Sequence, residues 1–229
     1  MNSRATELRL ALGAFILLAA AFVAMPGLDL AASRLFFQDG KWLLERDSAW
    51  LALPYRGLPR LGQGVVLTLA ILWLLSFVGR FTGLRARRAG VGFLLAAALA
   101  GPVLVVDLGL KDHSGRARPI NVGEFGGSAR FTPAFVPADQ CRKNCAFVSG
   151  HVATASFLMA FGWLAAPAVR RRWLLAGLGA GAVLALARMA PGGHFLSDAV
   201  FAWFAVYGSL WGTEWFFRRL GWLPPGDSP

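Results

Sequence analysis

Six stretches of this chain are long enough and apolar enough to cross a membrane. They run Leu8 to Met25, Gly62 to Gly79, Ala89 to Leu108, Phe147 to Ala166, Trp173 to Met189 and Phe195 to Phe217. Each holds close to the ~20 residues that cross a ~30 Å hydrocarbon core. A 56% hydrophobic share with 15% charged residues leaves too little polar surface for a soluble domain of 229 residues. The expected fold is therefore an all-α integral membrane protein: six transmembrane helices with a helical-bundle core. The first run, flanked by Arg4 and Arg9, could also be a signal peptide with a weak cleavage site at Ala21-Phe22-Val23-Ala24. The spans that follow favour an uncleaved helix.

The formal charge of +11, carried mostly by Arg, is also more informative about membranes than about nucleic acid, which is set aside as a partner. Arg4 with Arg9, Arg80 to Arg88, Arg170 to Arg172 and Arg218 with Arg219 all fall on one side of a six-span arrangement. The positive-inside rule makes that side, and both termini, cytoplasmic. The opposite side receives segment 29–61, loop 109–146 and turn 190–194. Segment 29–61 alternates charges with Trp42, Trp50 and Tyr55, while Pro54 and Pro59 rule out one long helix, so it reads as lying on the membrane surface. Gly101-Pro102 marks an expected kink in the third span. The tail from Gly221 reads as disordered. The chain divides into a first helix with its surface segment (1–61), a core of five spans (62–217) and a tail (218–229), with no internal repeat.

Three polar pieces converge on the outer side. The first is Lys111 to Pro119, where Lys111, Arg116 and Arg118 stand at the end of the third span. Interfacial snorkelling explains such cations, and so does phosphate binding, since Arg offers a planar fork and Lys a compact charge. The second is Ser149-Gly150-His151, at the start of the fourth span. It could be a plain helix cap, or an anion site where Gly150 lets the backbone approach closely. In the second reading His151 reaches a leaving-group oxygen. The third is Arg188 with His194 and Asp198. An Arg inside an apolar helix is costly unless paired or functional. If His194 and Asp198 are both helical they share a face, and a carboxylate on one ring nitrogen leaves the other free to attack. His113 has no partner by spacing. Asp107 with Lys111, and Glu214 with Arg218, are spaced to pair. Cys141 and Cys145 form a weak metal pattern; in an oxidising compartment a small disulfide is the better reading.

In this order and spacing the pieces resemble the type 2 phosphatidic acid phosphatase superfamily, whose pattern is Lys-x6-Arg-Pro, Pro-Ser-Gly-His and Ser-Arg-x5-His-x3-Asp. Lys111-x6-Arg118-Pro119 is complete. Val148 replaces Pro before Ser149, and Ala187 replaces Ser before Arg188, at a cost of one phosphate contact. The resemblance covers about residues 62–217. It implies that Lys111, Arg118 and Arg188, with Ser149 and the Gly150 amide, hold phosphoryl oxygens. His194 attacks phosphorus to form a phosphohistidine, Asp198 orients His194, and His151 protonates the leaving oxygen and then activates water. No metal or other cofactor is implied, because three cations supply the charge.

The loop from Glu124 to Gly127, with Cys141 and Asn144 to His151, resembles bacterial lipid A phosphatases, particularly the 1-phosphate type. The expected function is thus a lipid phosphomonoesterase of the bacterial inner membrane, its site facing the periplasm and its substrate lipid A. Undecaprenyl pyrophosphate, phosphatidylglycerophosphate or a second lipid as phosphate acceptor fit the same motifs. A non-enzymatic binder of anionic lipid would not need the His-x3-Asp pair.

Overall fold

The computed structural model describes residues 3–45, 48–52 and 56–224. Helix α1 (Ser3–Ala24) leads through Pro26 into α2 (Gly27–Arg34). A small antiparallel hairpin follows, β1 (Phe37–Gln38) and β2 (Lys41–Trp42), with Phe37 opposite Trp42. It turns on Asp39-Gly40, both at positive φ, which is the pair such a tight turn requires. Next come α3 (Ala49–Ala52), α4 (Leu58–Leu75) and α5 (Thr82–Ala86). Helix α6 (Arg88–Ala98) continues directly into a wider π-type helix, Leu99–Lys111. The kink expected at Gly101-Pro102 is taken up there: Pro102 has no N–H to donate, and the looser turn accommodates it. A long loop with two short 3₁₀ turns, Pro119–Asn121 and Gly123–Phe125, reaches α7 (Gly150–Ser156), which tightens into a 3₁₀ stretch, Phe157–Gly162. Helices α8 (Pro167–Met189) and α9 (Leu196–Arg219) complete the fold. Of segment 29–61, Arg46, Asp47, Pro54, Tyr55 and the Trp50 side chain lie outside the described residues, as do tail residues 225–229.

Four helices among the described residues are long and apolar enough to cross a membrane: Arg4–Ala24, Leu58–Leu75, Arg88–Lys111 and Pro167–Met189. The other two expected spans differ in physical ways. Residues 150–162 rise only about 22 Å, seven residues at 1.5 Å and six at 2.0 Å, short of a ~30 Å core. Helix α9 is long enough, at about 36 Å. However, it carries Ser197, Asp198, Thr213 and Glu214, all buried, so its polarity is spent inside the bundle.

Helix α9 is the central element. Its buried set includes Phe201, Ala202, Val206, Leu210 and Phe217, so more than one face is covered. Phe15 and Phe22 of α1 meet Phe201 edge-on, with centroids 5.7 and 5.9 Å apart, so the first helix packs into the same core as the last. At the end of α9 away from Asp198, Glu214 pairs with Arg218 at 2.7 Å and also with Arg4, and accepts from the Trp163 indole at 2.7 Å. Arg170 belongs to this knot. It is buried over the Trp163 ring, 3.7 Å from its centroid, and donates to Glu7 at 2.6 Å. One member of the expected topology-setting triplet is thus a structural ion pair that ties α1 to α8.

At the other end, a second apolar cluster roofs the bundle. Phe37, Trp42 and Phe125 meet at 5.1–5.2 Å between centroids, and Phe131 meets Phe195 at 5.3 Å. The hairpin and the long loop together form this roof.

Candidate active site

The three polar pieces come together under that roof. Lys111 ends the π-type helix and pairs with Asp107 at 3.5 Å, as their spacing suggests. Gly150 opens α7 against it: a Cβ at this position would stand 2.7 Å from Asp107 Oδ1 and 3.2 Å from Lys111 Nζ. Only glycine lets the lysine lie against the helix start. Gly193 does the same for Arg188, whose Nη2 would be 3.0 Å from a Cβ there. Arg118 donates through Nη2 to the Asn144 carbonyl at 2.8 Å. The charges of Arg118 and Arg188 act on both Lys111 and His194, so the two arginines lie between the lysine and the imidazole in one charge cluster.

His194 is buried, in the turn just before α9. Its Nδ1 lies 2.9 Å from the Ala146 carbonyl, which can only accept, so Nδ1 carries the proton. Asp198 Oδ2 is farther, at 3.5 Å from Nδ1. The bond expected from the His-x3-Asp spacing therefore goes first to Ala146. The physical reason is that α9 begins at Leu196, so His194 is not helical and does not share a helical face with Asp198. Nε2 is buried and has no hydrogen-bond partner among the described residues. Burial drives the imidazole down to about 3; Asp198 opposes this shift, and the charges of Arg188 and Arg118 add to it. At neutral pH the ring is thus neutral, protonated on Nδ1, with an open lone pair on Nε2.

Asp198 is held from two other sides. Its Oδ2 accepts the Phe195 N–H at 2.8 Å and closes the start of α9, while its Oδ1 accepts from Arg116 Nη1 at 2.6 Å. Arg116, grouped with the motif cations by sequence but given no role, is fully buried. It also donates to Ser197 Oγ at 2.8 Å, to the Thr132 carbonyl at 2.8 Å and to Asp29 Oδ2 at 2.7 Å. Asp29, on α2, further accepts from the Ser197 amide at 2.8 Å and the Ser197 hydroxyl at 2.6 Å. The Asp29 carboxyl is raised above its ordinary value, first by burial and also by the Asp198 charge, against the pull of Arg116 and Ser197. All three groups facing it, from Arg116 and Ser197, donate, which suits the carboxylate. Sequence reasoning missed Asp29, Ser197 and the Ala146 carbonyl. The available signal was a lone acid between Leu28 and Leu30, on an otherwise apolar stretch.

Ser149 precedes α7, and its amide donates to the Asp198 carbonyl at 2.9 Å, so that N–H is committed to the fold. Its buried hydroxyl has no hydrogen-bond partner among the described residues. His151 lies in the first turn of α7, half-buried. His113 is exposed, and its Nδ1 bonds the Leu108 and Gly109 carbonyls at 2.9 Å. Cys141 and Cys145 are joined as a disulfide, with Cα atoms 5.6 Å apart. The extended segment at its end keeps Ala146 in place through two bonds, Cys145 N–H to the Lys111 carbonyl and Ala146 N–H to the Arg116 carbonyl. Among the described residues no three His, Cys, Asp or Glu side chains cluster as a metal site.

A cluster of three cations beside a histidine with one open ring nitrogen, at one end of an apolar helical bundle, is an arrangement suited to a phosphoryl group. The chain belongs to the PAP2 superfamily, whose family profile matches residues 89–222. It is similar to proteins named lipid A 4′-phosphatase from three bacteria. With that of Francisella tularensis subsp. novicida it shares 41% identity over 148 residues, 62% of this chain and 65% of that protein, just under two thirds of its length. With that of Rhizobium etli it shares 35% over 214 residues (83% and 82%), and with that of Rhizobium leguminosarum 34% over 202 residues (81% and 85%). No solved structure matches the chain.

Proposed function

We propose that this protein, a phosphoric monoester hydrolase by its family and its relatives, removes a phosphate from lipid A by way of a phosphohistidine on His194. The observation that carries this reading is the His194 ring. It is neutral, its Nδ1 proton is committed to Ala146, and its Nε2 is open beside Arg118 and Arg188.

Lys111, Arg118, Arg188, the Ser149 hydroxyl and the amides at the start of α7 take the phosphoryl oxygens. Their charge stabilises the in-line transition state without a metal. The Nε2 lone pair forms the N–P bond as the P–O bond to the lipid breaks, and His151 gives its proton to the departing oxygen. His151, now neutral, takes a proton from water, which displaces the phosphoryl group from Nε2 and frees phosphate. The site faces the periplasm, because the basic clusters at the opposite end mark the cytoplasmic side of the inner membrane. Six spans, with both termini inside, complete this topology; α9 and residues 147–166 cross while shielded by their neighbours. The relatives' names favour the 4′ phosphate. The loop around Glu124 to Gly127 pointed to the 1-phosphate, and family loops of this kind are weaker signals than identity spread over four fifths of the chain.

The test is phosphate release from bis-phosphorylated lipid A by the purified protein in EDTA, with His194→Ala in parallel, and mass spectrometry to locate the phosphate removed. EDTA-insensitive release, absent in the variant, is expected. Release confined to undecaprenyl pyrophosphate or phosphatidylglycerophosphate overturns the substrate. Release only when a second lipid is added makes the protein a phosphotransferase. Undiminished release by the variant overturns the mechanism.

A further inference from the structure

Behind His194 stand three buried charges in a row: Asp198, Arg116 and Asp29, each at most 1% exposed. Arg116 bridges the two carboxylates, at 2.6 Å to Asp198 and 2.7 Å to Asp29. Ser197 stitches the row together: its hydroxyl accepts from Arg116 and donates to Asp29, and its amide also donates to Asp29. Every Asp29 oxygen is thereby used. One buried arginine against one aspartate would already be neutral. With only donors facing Asp29, the guanidinium among them, both carboxylates are ionised, and the second leaves the row with one net negative charge in a buried site, which is costly unless something answers it.

Phosphoryl transfer supplies the answer. When Nε2 bonds phosphorus and Nδ1 keeps its proton, the imidazole gains a positive charge. It does so 3.5 Å from Asp198, at the head of the row. Fixed charge aimed at where charge develops is the strongest single device in such sites.

We propose that Asp29 is a positioning residue of the phosphatase site: through Arg116 and Ser197 it fixes the Asp198 carboxylate and supplies the surplus negative charge that meets the cationic phosphohistidine ring. This rests on the function proposed above. It also extends the working site beyond the family-matched segment 89–222, onto α2. A merely structural Asp29, anchoring the start of α9, would be felt in folding and substrate affinity alike, and would be indifferent to the net charge of the row.

The experiment compares wild type, D29N, R116Q and D29N/R116Q in detergent micelles, with para-nitrophenyl phosphate and lipid A as substrates. D29N keeps the shape and brings the row from one negative charge to none. It is expected to lower kcat by about ten- to a hundredfold, with KM within about twofold. The double variant returns the row to one negative charge and is expected to turn over at least about fivefold faster than R116Q. S197A keeps every charge and cuts the stitch; it lowers kcat about threefold, and carries the test if D29N fails to fold. Orthovanadate, which adopts the five-coordinate geometry of the transfer, reads the same effect without turnover: D29N binds it about tenfold more weakly. Unchanged kcat and vanadate affinity in D29N, a loss confined to KM, or a double variant no better than R116Q overturns the proposal. If D29N does not fold, unchanged kcat in S197A overturns it. Wild type that binds vanadate but hydrolyses neither substrate overturns the proposed function alone, and the vanadate comparison then decides this one. Wild type that does neither overturns both.

Discussion

Replacing His194 by Asn should flatten the acid side of this protein's stability curve. The wild-type ring titrates near 6.5 when unfolded and is driven down to about 3 when folded, chiefly by burial. Below pH 6.5 the unfolded chain takes up a proton that the folded chain refuses, so acid favours unfolding. The stabilising contribution is complete above pH 6.5 and is lost as pH falls through the window from 6.5 to about 3. pH 4.5 lies two units below 6.5, and at about 1.4 kcal/mol per unit the loss there is about 2.7 kcal/mol. For a chain of this size that amounts to about 5–10 °C in Tm. Asn places an amide N–H where Nδ1–H stood, so the bond to the Ala146 carbonyl survives while the titration is removed. Thermal melts of both proteins in the same detergent, at steps from pH 7.5 to 4.5, give a difference curve from which the common carboxylates cancel. The wild-type Tm should fall more steeply by the amount above. Parallel curves would show that the folded ring takes up its proton as readily as the unfolded one, and would refute both the burial argument and the neutral nucleophile built on it.

Gly150→Ala should fold normally, because the half-exposed Asp107 side chain can move aside. It should nonetheless lower kcat/KM about a hundredfold by pushing Lys111 from the start of α7; wild-type kinetics in this variant would separate Lys111 from the chemistry. Arg170→Met should cost about 2 kcal/mol and lower Tm without changing kcat, since it strips the donors from Glu7 and the Trp163 carbonyl far from the site. Cys145→Ser should reduce turnover more than stability, because the segment it releases carries the Asn144 and Ala146 carbonyls that hold Arg118 and His194. Melting and kinetics measured on one preparation check both of these variants.

Much of this site was legible in the sequence because its chemistry sits in short motifs at chain-local spacings. Lys111, Ser149, Gly150 and Arg188 lie at helix ends, Arg118 and His194 in the loops that leave those ends, and the alternation of apolar runs with basic clusters places them on one side. What could not be read was carried by contacts between distant positions and by the backbone. Asp29 meets Ser197 across 168 positions, and the acceptor for His194 is a main-chain carbonyl that no side-chain pattern marks. The His-x3-Asp spacing suggested a helical neighbour pair because it matches the helix repeat, yet the helix starts two residues later. The span count is hard to read for a related reason: hydropathy along the chain does not distinguish a helix that faces lipid from one, like α9, whose apolar residues largely face protein.

Helix α9 has one further consequence. Asp198 near its start and Glu214 near its end are both buried and ion-paired, sixteen positions or about 24 Å apart. The helix is pinned at two depths, so its length across the bundle is fixed by protein contacts rather than by the surrounding lipid. Helix α4, with Leu69 as its one buried residue, has no buried ion pair of this kind among the described residues. In bilayers of different thickness, adjustment by tilting falls to peripheral helices of that kind. The distance between the histidine site and the Glu214 knot then stays constant, like a gauge block held between two jaws.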